Sequence, residues 1–177
     1  MEVMMIRITL CVIFILGGAW TGMFYAGRLS SRKRALGELI RGLQLFKNEI
    51  YYTRERLEKA AARAGRASDG ASAGFFEYFA GMLHERSEEG AGHVWEDAAR
   101  GYFGRGNILN EKDIDALSAM GRRLGSTDIK GQMENIERTL KELSIRYTDA
   151  GSMEAQKGKV YRTAGVAGGI LCAVLIV

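Results

Sequence analysis

There is no proline anywhere in these 177 residues. Ordinary usage near 5% would supply about nine. Proline removes a backbone donor and clashes with the preceding helical turn, so a chain without it is free to form long, unbroken helices. Glycine must then supply the turns. Of the 23 glycines, eight do so in GRASDGASAG (65–74), GAG (90–92) and GYFGRG (101–106). Cysteine is scarce, and Cys11 and Cys172 both lie in apolar runs. That excludes a framework of disulfide-stapled loops and reads each cysteine as a small hydrophobe. Period-two alternation is missing as well, which argues against strands.

Motifs that carry chemistry are also few. No GxxxxGK[ST] occurs, which excludes a P-loop nucleotide hydrolase, and no HExxH is present. The two histidines, His84 and His93, stand nine residues apart across a glycine break, near Glu85, Glu89 and Glu96. That spacing fixes no metal-ligand pair. The plain reading is solvated polar residues at helix ends. A membrane-anchored enzyme built on these histidines and carboxylates is the alternative from a different class.

The net charge is +4 and the isoelectric point about 9.1, yet the middle of the chain is acidic. Between Ala35 and Gln156 there are 17 Lys/Arg against 20 Asp/Glu. The basic excess sits in two short runs, Arg28, Arg32, Lys33 and Arg34, then Lys157, Lys159 and Arg162. A nucleic-acid binder carries its cations on the folded domain, where they meet phosphates. Here they border apolar ends, so the expected partner is membrane lipid and not nucleic acid.

The first apolar end, Ile8 to Ala26, has 19 residues without a charge, about 28 Å of helix against a hydrocarbon core of about 30 Å. Its charges follow the run, opposite to a cleaved signal peptide. Trp20 and Tyr25 stand where interfacial anchors are expected. The second end, Thr163 to Val177, is 15 residues, about 22 Å, extendable by snorkelling of Arg162. Both basic runs face the middle of the chain, so the positive-inside rule places that middle in the cytoplasm and both termini across the membrane. Residues 1–27 are therefore expected to be an N-terminal anchor, 28–160 a cytoplasmic bundle and 161–177 a C-terminal transmembrane segment. Gly18 with Gly22, and Gly165 with Gly169, have the spacing that lets two membrane helices pack closely.

Between the anchors the periodicity predicts about six helices. Leu36, Leu39, Leu43, Phe46 and Ile50 form one apolar stripe from Ser31 onward. A second helix is predicted over 55–64, a third over 75–83 and a fourth over 93–103, offering Val94, Trp95, Ala98 and Phe103. The fifth is predicted over 110–125, with Asn110 as N-cap, Asp113 beside the positive helix start and Gly125 at the C′ position. The sixth begins near Ser126 or Thr127. Its apolar positions are Ile129, Met133, Ile136, Leu140, Leu143, Tyr147 and Ala150, and with no proline to stop it, it can run into the terminal apolar segment.

Three stretches stand out as possible contact surface: the basic RERLEKAAARAGR (54–66), the acidic run from Glu85 to Asp97, and LGSTDIKGQ (124–132). In the last, Asp128 and Gln132 are four apart and share a helix face. Together with EIYYTRERLEKAA (49–61), VWEDA (94–98) and GKVYRTAGVAGGILCAVLIV (158–177), LGSTDIKGQ resembles the stage III sporulation protein AB family of endospore-forming bacteria. That family is related to the F platform proteins of type II secretion and type IV pilus machines. Where it tends to have prolines after the EIxY stretch, this chain has Arg56 and Glu58.

The resemblance implies an all-α fold: a cytoplasmic six-helix bundle like the secretion F-protein domain, flanked by N- and C-terminal transmembrane helices. It implies a non-enzymatic platform or adaptor with no cofactor, in the mother-cell membrane facing the forespore. Its implied partners are the sporulation ATPase, stage III sporulation protein AA, and other membrane proteins of the channel complex. Family-pattern positions carried over as candidate partner contacts are Glu49, Tyr52, Trp95, Leu124, Gly125, Asp128 and Gln132. None is expected to be catalytic or to hold a metal. A general secretion or pilus platform is the alternative within the same class.

Overall fold

The computed structural model describes residues 2–53, 56–106, 108–125 and 128–176; the surroundings of residues 1–11 and of most of 162–177 lie outside the description. Among the described residues six α-helices follow one another: α1 (Glu2–Thr53), α2 (Leu57–Arg66), α3 (Gly70–Glu85), α4 (Ala91–Phe103), α5 (Glu111–Ala119) and α6 (Ile129–Ile176). A 3₁₀ turn, Gly121–Arg123, separates α5 from α6. Among the described residues there is no strand. The chain divides into two compact units, residues 32–148 and residues 1–31 with 149–177.

The 32–148 unit is the helical bundle. The predicted stripe of α1 is its spine: Leu36, Leu39, Leu43 and Phe46 are fully buried and Ile50 nearly so. Against it packs an aromatic cluster from α3 and α4. Phe46 stacks on Trp95 at 5.8 Å and 17°, while Phe75 and Phe79 meet the indole edge-on at 5.0 and 4.8 Å. Such offset and T-shaped pairs suit the aromatic quadrupole and add to the area they bury. Ile136 and Leu143 of α6 and Leu117 and Met120 complete the core.

Most predicted helix ends shift by two or three residues, and three boundaries differ by more. The N-terminal apolar segment and the first bundle helix are one continuous helix, α1, with no proline or cap to part them. Helix α3 begins at Gly70, five residues before Phe75, because Glu38 of α1 supplies a cap from elsewhere in the chain: its Oε2 accepts the Ala71 N–H at 2.8 Å. Gly70 itself has φ +56°, which favours glycine.

Helix α5 stops at Ala119 instead of running to Leu124. Its terminal carbonyls are claimed by side chains, Leu117 O by Trp95 Nε1 at 2.7 Å and Met120 O by Asn135 Nδ2 at 2.7 Å. Beyond it, Gly121 lies backbone to backbone on Gly92; a Cβ there would sit 2.5 Å from the Gly92 carbonyl oxygen. Gly125, at φ +76°, therefore ends the 3₁₀ turn region and not α5. The capping box at the other end of α5 is as expected: Asn110 Oδ1 accepts the Asp113 N–H and Asp113 Oδ2 accepts the Asn110 N–H.

Helix α6 runs unbroken to Ile176, as the missing proline suggested. In the unit formed by 1–31 and 149–177, Tyr25 of α1 stacks on Tyr161 of α6 at 5.8 Å, and Ala26, Gly22 and Gly158 are buried. Gly165 and Gly169, half of the expected small-residue seam, lie outside the described surroundings. Among the described residues no helix is long and apolar enough to cross a membrane, so the two expected flanking membrane helices are not shown. Much of both apolar runs, including Ile8–Cys11, Phe14 and residues 171–177, lies outside the described side chains.

Candidate partner-contact site

Helices α1 and α6 are antiparallel within the bundle unit, and two contacts fix their register. Tyr147 lies against Gly37, where an added Cβ would approach its Cε2 to 3.2 Å. Ten residues on along α1 and ten back along α6, Lys47 Nζ donates to Glu137 Oε1 at 2.7 Å. The same register puts Tyr52 level with Gln132. From Arg32 to Tyr52 the helix rises about 30 Å, so this level is the opposite end of the bundle from Arg32 and Arg146.

At that end the loop after α5 lies against the starts of α2 and α4. A Cβ on Gly125 would stand 3.3 Å from Ala91 Cβ and 3.5 Å from Leu57 Cδ1. Asp128 caps α6: its carboxylate accepts the Gly131 N–H at 2.9 Å and its carbonyl the Gln132 N–H at 3.0 Å. The shared face read from the sequence is thus a helix N-terminus, with Asp128 engaged by backbone. Tyr51 and Tyr52 close α1 as an edge-to-face pair at 5.1 Å, and Tyr52 is 78% exposed. Glu49, one turn earlier, pairs with Arg63 of α2 at 3.4 Å.

Six of the seven candidate positions therefore gather at one end: Glu49, Tyr52, Leu124, Gly125, Asp128 and Gln132. Leu124, within that loop, is buried. Trp95 does not join them. It is fully buried in the aromatic core with its indole N–H on Leu117 O, and so its family-pattern role is packing, not surface contact.

The ion pairs of the acidic run are made locally. Arg86 holds both Glu89 and Asp97, the latter at 2.8 Å, and Arg100 holds Asp115 at 3.0 Å and Glu96 at 3.4 Å. The Arg86 hydrogen bond keeps the Glu89 carboxyl below its ordinary range, and the hydrogen bonds to Glu96 and Asp115 raise Arg100. Lys47 likewise lowers Glu137. Glu58 meets His84 at 3.1 Å in an open groove of about 670 Å³ between α2 and α3. His93 lines a separate groove of about 450 Å³ with Glu96, Arg122 and Gly125. The two histidines are not brought together, and among the described residues no three potential ligands cluster.

GASAG (70–74) spells GxSxG, the letters of a hydrolase nucleophile elbow, which presents its serine on a strand-to-helix turn. Ser72 instead lies inside α3, fully buried against Gly42. It is a packing serine.

Of the basic residues expected to border a membrane, Arg28, Arg34, Lys157 and Lys159 are exposed, and Arg28 lies 5.9 Å over the Phe24 ring. Lys33 is half-buried, and the Arg162 side chain lies outside the described residues. Arg32 is committed elsewhere: it forms a two-point bridge to Asp113, Nε to Oδ2 at 2.7 Å and Nη2 to Oδ1 at 2.9 Å. The sequence placed Asp113 at a helix start, but nothing in its spacing announced a buried partner 81 positions away.

The comparisons agree with this architecture. The family described as stage III sporulation protein AB matches residues 7–177. The stage III sporulation protein AB of Bacillus subtilis (strain 168) is 23% identical over 172 residues, covering 97% of this chain and 99% of that protein. A solved structure of a stage III sporulation protein AB superposes with a TM-score of 0.64 at 22% identity, over 71% of this chain and 98% of that one.

Proposed function

The chain belongs to the stage III sporulation protein AB family, and from that premise we propose that it is a non-enzymatic membrane platform of the sporulation channel complex. In this reading it docks a cytoplasmic ATPase, stage III sporulation protein AA, at the mother-cell membrane facing the forespore. The bundle lies in the cytoplasm and both termini are across the membrane.

The observation that carries this reading is the continuity of two helices. Helix α1 presents Val12, Ile13, Leu16, Trp20, Met23 and Phe24 with 49–73% of each exposed, and it ends at the exposed Tyr51–Tyr52 pair. A run of large apolar side chains this exposed marks a surface meant for lipid or protein. The cations that follow it, with those on α6, fit the positive-inside rule. At the other end of α1, the exposed tyrosines are a residue type that anchors protein interfaces. One pair of helices thus carries both an apolar attachment surface and a contact surface.

The test is co-purification of the full chain, in detergent, with the ATPase. Tyr51→Ala with Tyr52→Ala is expected to lose the ATPase while the chain still sediments with membranes. Undiminished ATPase retention by this double variant would overturn the assigned docking end. Failure of the unaltered chain to retain the ATPase under crosslinking would overturn docking itself.

A further inference from the structure

We propose that Asp113 is a latch that ties the two long helices together at the edge of the bundle, with α6 as the side that releases. The inference does not depend on the ATPase reading.

Asp113 is fully buried, and its carboxylate is the counter-ion for one arginine from each long helix: Arg32 of α1 and Arg146 of α6. The two sides are bonded unequally. Toward α1 the bridge is bidentate, at 2.7 and 2.9 Å, the geometry in which arginine and carboxylate bond most strongly. The same carboxylate also caps α5 through the Asn110 N–H. Helices α1 and α5 are therefore locked.

Toward α6 the nearest approach is 3.8 Å, from Arg146 Nη1 to Asp113 Oδ1, too long for a hydrogen bond. Arg146 Nε is buried with no acceptor among the described residues, an unfavourable state for a charged donor. Its Nη2 donates at 2.7 Å to Glu142, one turn back on the same helix. If α6 moves away from α5, Arg146 carries Glu142 with it as counter-ion, and Asp113 keeps Arg32. Every charge stays paired in both positions, so neither suffers the large penalty of stranding a buried ion. A packed element with two such arrangements is bistable in the sense that switching requires. Arg32 is the first residue of the bundle unit and Arg146 lies two before its last, so the latch sits where both helices leave it.

The test uses the full chain in detergent with Cys11 and Cys172 changed to serine. Nitroxide pairs are placed at the exposed positions Arg34 and Lys112 (α1 to α5), and Lys112 and Thr148 (α5 to α6). Pulsed electron-spin distance measurements are expected to give one narrow peak for the first pair and a broad or double distribution for the second. Glu142→Gln removes the travelling counter-ion from a solvent-facing site and is expected to collapse the second distribution to its shorter distance. Arg146→Gln is expected to shift it to the longer one, leaving the first pair unchanged. An α5–α6 distribution as narrow as α1–α5, or one that Glu142→Gln leaves unchanged or broader, would overturn the latch.

Discussion

A Trp95→Phe substitution keeps an aromatic ring in the core and takes away one hydrogen bond and half of a bicyclic side chain. The indole N–H of Trp95 donates to Leu117 O at 2.7 Å, at the C-terminal end of α5; without it that carbonyl keeps only the Met120 N–H at 3.3 Å. Losing a buried bond of this kind costs about 1 kcal/mol. The ring also packs on Phe46, Phe75, Phe76 and Phe79. Removing all of a buried Trp costs about 3–5 kcal/mol, so the missing ring accounts for roughly 1–2. The sum, about 2–3 kcal/mol, corresponds to a Tm lower by about 4–12 °C for a chain of this size. Urea unfolding in detergent, followed by circular dichroism, reads it as a lower midpoint with an unchanged slope. An unchanged midpoint combined with lost partner binding would refute the core assignment and return Trp95 to the contact surface.

Three further outcomes are expected. Gly121→Ala drives a Cβ to 2.5 Å from the Gly92 carbonyl and 3.0 Å from the Trp95 ring; it should destabilise the bundle by about 1–3 kcal/mol, read by the same unfolding assay. Tyr52→Ala, at a side chain 78% exposed, should change stability by less than about 0.5 kcal/mol while weakening ATPase retention. Glu137 is held below its ordinary value near 4.5 by the Lys47 hydrogen bond. The pair's contribution is therefore present above that value and lost as pH falls through the lower folded value. Carboxyl chemical shifts should titrate below 4.5 in the unaltered chain and return towards 4.5 in Lys47→Met.

The apolar stripes of α1 and α4 were legible because a 3.6-residue period reports directly on which face is buried, and Leu36 to Ile50 lie where that period puts them; of the stripe read for α6, Ile136, Leu143 and Ala150 are buried while Tyr147 is exposed. The Asn110–Asp113 box was legible because a cap is a local device. What the sequence hid was set by contacts distant in the chain. Glu38 starts α3 early from 33 positions away, and Trp95 and Asn135 end α5 early by taking its last carbonyls. The Arg32–Asp113 bridge spans 81 positions, and Arg32, in a run of four cations, looked like its neighbours. Six of the seven candidate contact residues converge because α1 and α6 are antiparallel in a fixed register. Their meeting was implicit in two long helices with a compact bundle between them. Trp95 was misplaced because its presence in the family pattern says nothing about exposure.

The side of the membrane on which the bundle lies is the central question. Ser72 is buried, so a topology label belongs at Ser87, an exposed residue in the turn after α3. In a chain with Cys11 and Cys172 changed to serine, single cysteines at Glu2, Ser87 and Ile176 would be treated in intact cells with a membrane-impermeant maleimide. Labelling at 2 and 176 with protection at 87 until the cells are opened is the predicted result. Labelling at 87 from outside, or protection at all three positions in intact cells, would contradict it.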